Sequence, residues 1–190
     1  MKLRLILGVL ICIIIASCNR HASFAIIDKV ILSYDSVSST LVDVKFREDS
    51  LSIERMREDS LTIIRYLVGG DFYHTTYSLK NEMFYENRIV PHEIIEGIIE
   101  TSVILIPTFS LKDTIFDYEP AEDFTSFFVR DLSFDKSNYQ IEKTNNEFIT
   151  IKQSLVDTTY QEIYYYDQNF NIYKYINTWK DNKCVYVKKE

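Results

Sequence analysis

Residues 40–68 carry the most regular alternation of apolar and polar positions in the chain. Val42, Phe46, Ile53, Met56, Ile63 and Leu67 follow spacings of four and three, with Asp49 and Ser60 in the two remaining slots. That period predicts one long amphipathic helix. Lys45–Asp49 and Arg55–Asp59 stand four apart and Glu54–Arg57 three apart, so opposite charges would meet along its face. Thr40 suits the N-terminal cap, Gly69-Gly70 the stop, and Val42 and Val44 also suit a preceding strand. Arg-Glu-Asp-Ser-Leu occurs twice here, at 47–51 and 57–61. On a helix, ten residues at 100° each set the copies about 80° apart, so they would not form one repeated surface.

The rest of the chain reads mainly as strands. Residues 24–36 fit two readings, helical by the spacing of Phe24, Ile27, Ile31 and Tyr34, extended by the β-branched content of 26–31. Asp71 to Leu79 predicts a strand. Pro91 to Glu96 predicts a short helix with proline in its first turn. Thr101 to Ile106 predicts a buried strand ended by Pro107. Further strands are expected at 111–118, 124–132, 138–143, 147–154, 158–166, 170–179 and 183–188. Asn145-Asn146, Asp167 to Asn169 and Asp181-Asn182 supply turns where positive φ is tolerated, which gives an antiparallel meander. The expected fold is α+β, an open curved antiparallel sheet packed against the 40–68 helix.

Aromatic composition sharpens the picture of the last third. The chain has 14 Tyr and 12 Phe but one Trp. If 158–166 and 170–179 form a hairpin, alternation puts Tyr164, Tyr166, Tyr173 and Tyr175 on one face. Ile163, Tyr165, Ile172 and Ile176 then form the opposite, more apolar face, which is expected to turn towards the helix. The four tyrosines are thus candidates for a half-exposed ligand platform for a glycan, lipid chain or peptide. Cross-strand aromatic pairing alone also accounts for them.

The first eighteen residues point to an address. Lys2 and Arg4 precede the apolar run Leu5 to Ala16, interrupted by Gly8 and followed by Ser17 and Cys18. This is the layout of a secretory signal peptide, and the run is short of the roughly 20 residues a membrane span takes. The ending Ile15-Ala16-Ser17-Cys18 resembles the lipobox of bacterial lipoproteins, although its first position is not the commoner Leu. The resemblance implies a signal peptide at 1–17, a diacylglyceryl thioether on Cys18, and acylation of the new amino group. It also implies a short tether at 18–23 before a single domain at 24–190. Two or more acyl chains anchor stably where one holds marginally. Residues 19–23 lack the acidic cluster that resembles a surface-export signal, so a periplasm-facing position is expected.

Charge and chemistry then exclude more than they assign. The chain has 28 acidic and 21 basic residues. Without Lys2 and Arg4 the balance is 28 against 19, an acidic surface that opposes nucleic acid and anionic lipid headgroups. Cys12 leaves with the signal and Cys18 takes lipid, so Cys184 is left without a disulfide partner and is expected to be a buried thiol. No glycine-rich phosphate loop and no nucleophile elbow occurs. His92-Glu93 lacks the second histidine of a zinc-protease motif, and His21, His74 and His92 are scattered, so neither a metal nor another cofactor is expected. The sequence therefore leads to an anchored, non-enzymatic binding or structural protein with a protein, glycan or lipid partner. A hydrolase using paired carboxylates and an accessory subunit of an envelope assembly are the alternatives.

Overall fold

The computed structural model describes residues 26–42, 47–95, 98–118, 136–145 and 147–189. Cys18, the tether and the strand expected at 124–132 lie outside them. The described residues form twelve strands and no helix: β1 Asp28–Tyr34, β2 Glu48–Arg57, β3 Ser60–Leu67, β4 Phe72–Lys80, β5 Met83–Ile95, β6 Ile98–Ser110, β7 Thr114–Tyr118, β8 Ser137–Thr144, β9 Glu147–Ser154, β10 Gln161–Tyr166, β11 Ile172–Trp179 and β12 Asn182–Lys188. All pairings are antiparallel, in the order β6-β5-β4-β3-β2-β1-β12-β11-β10-β9-β8-β7. The two terminal strands meet in the middle of the sheet, and its edges, β6 and β7, are consecutive in the chain. The sheet curls into a nearly closed barrel.

The fold is all-β, and the α+β expectation is corrected at its main element. The segment expected to be a helix at 40–68 contains the β2–β3 hairpin. Ile53 lies opposite Ile63, and Leu51 opposite Arg65. Leu51, Ile53, Leu61 and Ile63 are buried, at two-residue spacing within each strand. Two members of the supposed helical stripe, Val42 and Met56, are exposed. The alternation of period two, with a polar turn at Glu58-Asp59, outweighs the four-and-three spacing because each strand buries a whole face. Gly69 and Gly70 end no helix; with φ of 123° and 97° they turn β3 into β4. Residues 91–95 are likewise extended, within β5, and not a short helix. Pro107 does not end β6 but sits at a register shift opposite Tyr85, where an edge strand tolerates a missing N–H. The open question at 24–36 is answered for its described residues, 26–36, by β1.

Inside the barrel the inward residues fall into two tiers. Towards the end carrying the β2–β3, β4–β5, β8–β9 and β10–β11 turns, the filling is apolar and aromatic. Phe109 meets Tyr77, Tyr164 and Tyr166 at ring-centroid distances of 5.2, 5.4 and 5.4 Å. Tyr166 stacks on Phe148 and Phe170, and Phe84 meets Phe170 edge-on. Such pairs add roughly 0.5–1.5 kcal/mol each beyond area burial.

Where β6 lacks a strand partner, side chains from the facing wall take its backbone groups. The Tyr166 hydroxyl donates to Ser110 O at 2.7 Å and accepts from Ser110 N at 3.1 Å. Thr150 Oγ1 donates to Thr108 O at 2.7 Å. Tyr166 thus satisfies two buried backbone groups with one hydroxyl. Tyr166→Phe is expected to cost about 1–3 kcal/mol, the penalty for leaving such groups unmet, while the ring stack stays in place. Urea denaturation checks this, and an unchanged midpoint would show that Ser110 finds other partners.

Candidate functional site

Towards the opposite end the inward positions become charged. Alternation along β8, β9 and β10 brings Tyr139, Lys152 and Glu162 side by side, because Tyr139 pairs with Lys152 and Lys152 with Glu162. The facing wall supplies Glu48 from β2, Arg65 from β3, and Glu86 and Arg88 from β5. All six charged residues are buried. Three are cationic and three anionic, so the set is formally neutral.

Each charge has an identifiable electrostatic environment. Arg65 lies 3.5 Å from Glu162 Oε2 and 3.7 Å from Glu48 Oε1, and it donates to Thr75 Oγ1 at 3.3 Å. It also donates to the Tyr164 hydroxyl. Tyr164 in turn donates to Glu162 Oε2 at 2.9 Å, and Tyr160 donates to Glu162 Oε1. The Tyr73 hydroxyl donates to Glu48 Oε1 at 2.9 Å. Arg88 grips Glu86 Oε1 through Nε at 2.8 Å and Nη2 at 2.6 Å. Pairing of this kind is needed, since an uncompensated buried ion costs several kcal/mol.

The titration tendencies follow from these contacts. Burial pushes the Glu162 carboxyl up, but Lys152, Arg65 and the Tyr160 and Tyr164 hydroxyls outweigh it and hold it at about 2. Burial drives the phenols of Tyr139, Tyr160, Tyr164 and Tyr175 well above their ordinary range. They remain protonated and able to donate.

These groups enclose a cavity of about 150 Å³ lined by Arg65, Arg88, Lys152, Glu86, Glu162 and the tyrosines Tyr73, Tyr77, Tyr139 and Tyr164, with His74, Thr75 and Thr108. A fault in the sheet accounts for its opening. β4 and β5 pair only from Tyr77–Glu86 to Lys80–Met83, whereas β4 stays with β3 back to Phe72 and β5 with β6 as far as Ile95. Above Tyr77 the two strands part. His74 and Tyr73 stand at this gap, His74 exposed and Tyr73 exposed over 36% of its surface with its hydroxyl turned in to Glu48.

The tyrosine platform expected from sequence is rearranged. Tyr164, Tyr166 and Tyr175 do share a face, but it is the barrel interior, and they are 2%, 0% and 0% exposed. Tyr173 leaves them. The register passes from Tyr165–Lys174 to Tyr166–Ile172, so Tyr173 is the extra residue of a bulge. It turns outward beside Tyr165, their rings 6.5 Å apart, while Ile172 turns inward. One inserted residue exchanges the faces of its neighbours. Ile163, Tyr165 and Ile176 lie on the outer face, with no helix against them among the described residues, and the 40–68 segment expected to pack there forms the β2–β3 hairpin instead. Of the four tyrosines, Tyr164 lines the cavity. Cys184 is buried and free, its thiol pushed up by burial.

The sequence reading missed the six charged residues, although a signal was present. Leu61-x-Ile63-x-Arg65 and Phe148-x-Thr150-x-Lys152 each continue an inward series into a charge, as do Glu162-x-Tyr164-x-Tyr166 in reverse. A charge in phase with buried positions is the mark of a polar interior. Among the described residues no group of three His, Cys, Asp or Glu is placed to hold a metal ion. Comparisons with family models, curated proteins and solved structures find no match to this chain. The geometry therefore defines the class alone: an all-β barrel-like protein with a charged internal chamber.

Proposed function

We propose that this chain is a lipid-anchored protein of the bacterial cell envelope whose barrel binds a small polar molecule without transforming it. The chamber carries this reading: five buried charges line a cavity that reaches the surface at Tyr73 and His74, and a sixth, Glu48, lies 3.7 Å from Arg65. Binding sites characteristically combine a concave space with a few convergent polar groups. Glu162 argues against acid catalysis, which wants a carboxyl raised towards neutrality and not one held near 2. The platform role first considered for Tyr164 becomes a place in the chamber wall.

The anchor follows from Met1 to Cys18, and its position relative to the chamber gives it meaning. Ile27 N bonds Arg55 O, so the chain enters the barrel beside the β2–β3 turn. The eight residue-to-residue steps from Cys18 to Ile26 span at most roughly 28 Å. On this reading the aromatic tier lies nearer the bilayer and the chamber mouth at the far end, facing the periplasm. The ligand would come from water and not from the membrane.

The lipid is tested by metabolic labelling with a fatty acid. Label is expected on the wild type and absent from Cys18→Ser, which should also leave the membrane fraction; equal labelling of both would remove the anchor. The chamber is tested by ligand-observed NMR on full-length protein in detergent, using small polar molecules and the chamber-filling variant Thr75→Phe. Binding that is lost in T75F supports the reading. Binding unaffected by T75F would place the ligand elsewhere.

A further inference from the structure

We propose that the chamber is a site for a small zwitterion, an amino acid of alanine size. This rests on the binding role proposed above and specifies its ligand. Three observations lead there: the charge balance, the size and the arrangement of the lining.

Charge balance comes first. Arg65, Arg88 and Lys152 line the cavity with Glu86 and Glu162, and Glu48, off the lining and 3.7 Å from Arg65, supplies the third buried acid, so the empty set is formally neutral. A lone carboxylate would make the buried set net negative and a lone ammonium net positive, and an uncompensated buried charge is costly. A zwitterion brings both charges and leaves the sum at zero. A neutral polyol also keeps the sum at zero, but offers no formal charge for the chamber to read.

The lining offers both signs to a ligand from more than one side. Lys152 and Glu162 are neighbours across β9–β10, while Arg88 and Glu86 stand two apart on β5. A basic and an acidic side chain thus come from each of two stretches of the wall. The ligand carboxylate falls to Lys152 and the guanidinium of Arg88 or Arg65, charge-assisted contacts that are stronger than neutral ones. Its ammonium falls to Glu86 and Glu162. Tyr77 and Tyr139 supply ring surface for a short aliphatic group. His74 stands in solvent at the rim and leaves the internal balance unchanged.

Size selects within the class. A cavity of about 150 Å³ is the size that takes one benzene in an apolar interior. That corresponds to about six heavy atoms, which admits glycine, alanine or serine and refuses a sugar ring or an aromatic amino acid.

The experiment is isothermal titration of full-length protein in detergent with L-alanine, propionate, ethylamine and glycerol. Propionate lacks the ammonium and ethylamine the carboxylate, and neither is larger than alanine, so both enter wherever alanine does. L-alanine is expected to bind with Kd of about 1 mM or tighter, and each truncated analogue at least tenfold more weakly, since one lost charge contact is worth 1.4 kcal/mol or more. Thr75→Phe should abolish the alanine signal. Should T75F fail to fold, the comparison of alanine with its two analogues on wild type decides alone. Propionate, ethylamine or glycerol binding as tightly as alanine would overturn the zwitterion while leaving a binding chamber. Silence from all four would overturn both the zwitterion and the small-molecule role.

Discussion

Replacing Arg65 with methionine is expected to lower the stability of the barrel by about 3–5 kcal/mol, the usual cost of removing one partner from a buried charge set. Methionine keeps much of the volume, so the loss reports charge more than packing. Arg65 is the cation within reach of both Glu48 and Glu162, at 3.7 and 3.5 Å, and it also donates to Tyr164. Without it, two buried carboxylates lose the cation that lies between them. The expected loss is a large part of the 5–15 kcal/mol that holds a typical domain. Urea denaturation followed through Trp179, the one tryptophan, measures it. Adding Glu162→Gln to Arg65→Met should return part of the loss, because the second change removes one stranded charge, and contacting residues couple by roughly 0.5–3 kcal/mol. A loss below 1 kcal/mol for the single variant would mean that water reaches these groups freely.

The sheet in the second half of the chain was legible because its signals are local. β9 occupies residues 147–154 as the pattern indicates, and β8, β10, β11 and β12 fall within three residues of expectation at each end. Turn chemistry was only partly readable. Asn145 does take positive φ, at 56°, but at the next hairpin Phe170 takes it, at 59°, and not one of the polar residues before it. Phe170 is held there by its ring contacts with Phe84 and Tyr166. Tertiary packing set that turn, and no local rule reveals it.

The first half misled because two periods coexist in it. Ten residues separate the copies of Arg-Glu-Asp-Ser-Leu, and ten is an even number. On strands this keeps Leu51 and Leu61 on the same face, and both are buried at 0% and 1%. On a helix the same spacing scatters them, which is why the repeat looked uninformative. Its parity was the cue for a hairpin, with the second Glu-Asp making the turn. The Tyr165–Tyr166 register shift is harder, because nothing in Ile172-Tyr173-Lys174-Tyr175 announces which residue will be extra. As for the chamber, charged residues in an acidic chain read as surface by default. Only the closing of the sheet, a non-local event, turns Arg65, Lys152 and Glu162 towards one another.

Acid should unfold this barrel earlier than its apolar tier alone would require, and Glu162 should account for much of the effect. Its carboxyl is drawn from an ordinary 4.5 to about 2 in the folded state. A lowered folded value means that the stabilisation is complete above 4.5 and is lost as the pH falls from there through about 2. At about 1.4 kcal/mol per pH unit, the contribution is on the order of 3 kcal/mol. The surroundings fix the sign. Lys152 on β9 and Arg65 on β3 stabilise the carboxylate, Tyr160 and Tyr164 donate to it, and burial works against all four. Tyr73, Tyr139 and Tyr175, from β4, β8 and β11, stay protonated throughout this range. Other carboxyls lowered by folding, Glu54, Asp35, Asp157 and Asp167, titrate nearby, so the wild-type curve alone is not enough. Those groups are common to Glu162→Gln and cancel in the difference. Stability of wild type minus that of E162Q, from urea midpoints, is expected to be about 3 kcal/mol greater at pH 6 than at pH 2. A flat difference would mean that folding leaves the Glu162 carboxyl unshifted, and a difference that falls as the pH rises would mean that it stays protonated in the folded protein at neutral pH, which would leave the chamber one positive charge too many for a zwitterion.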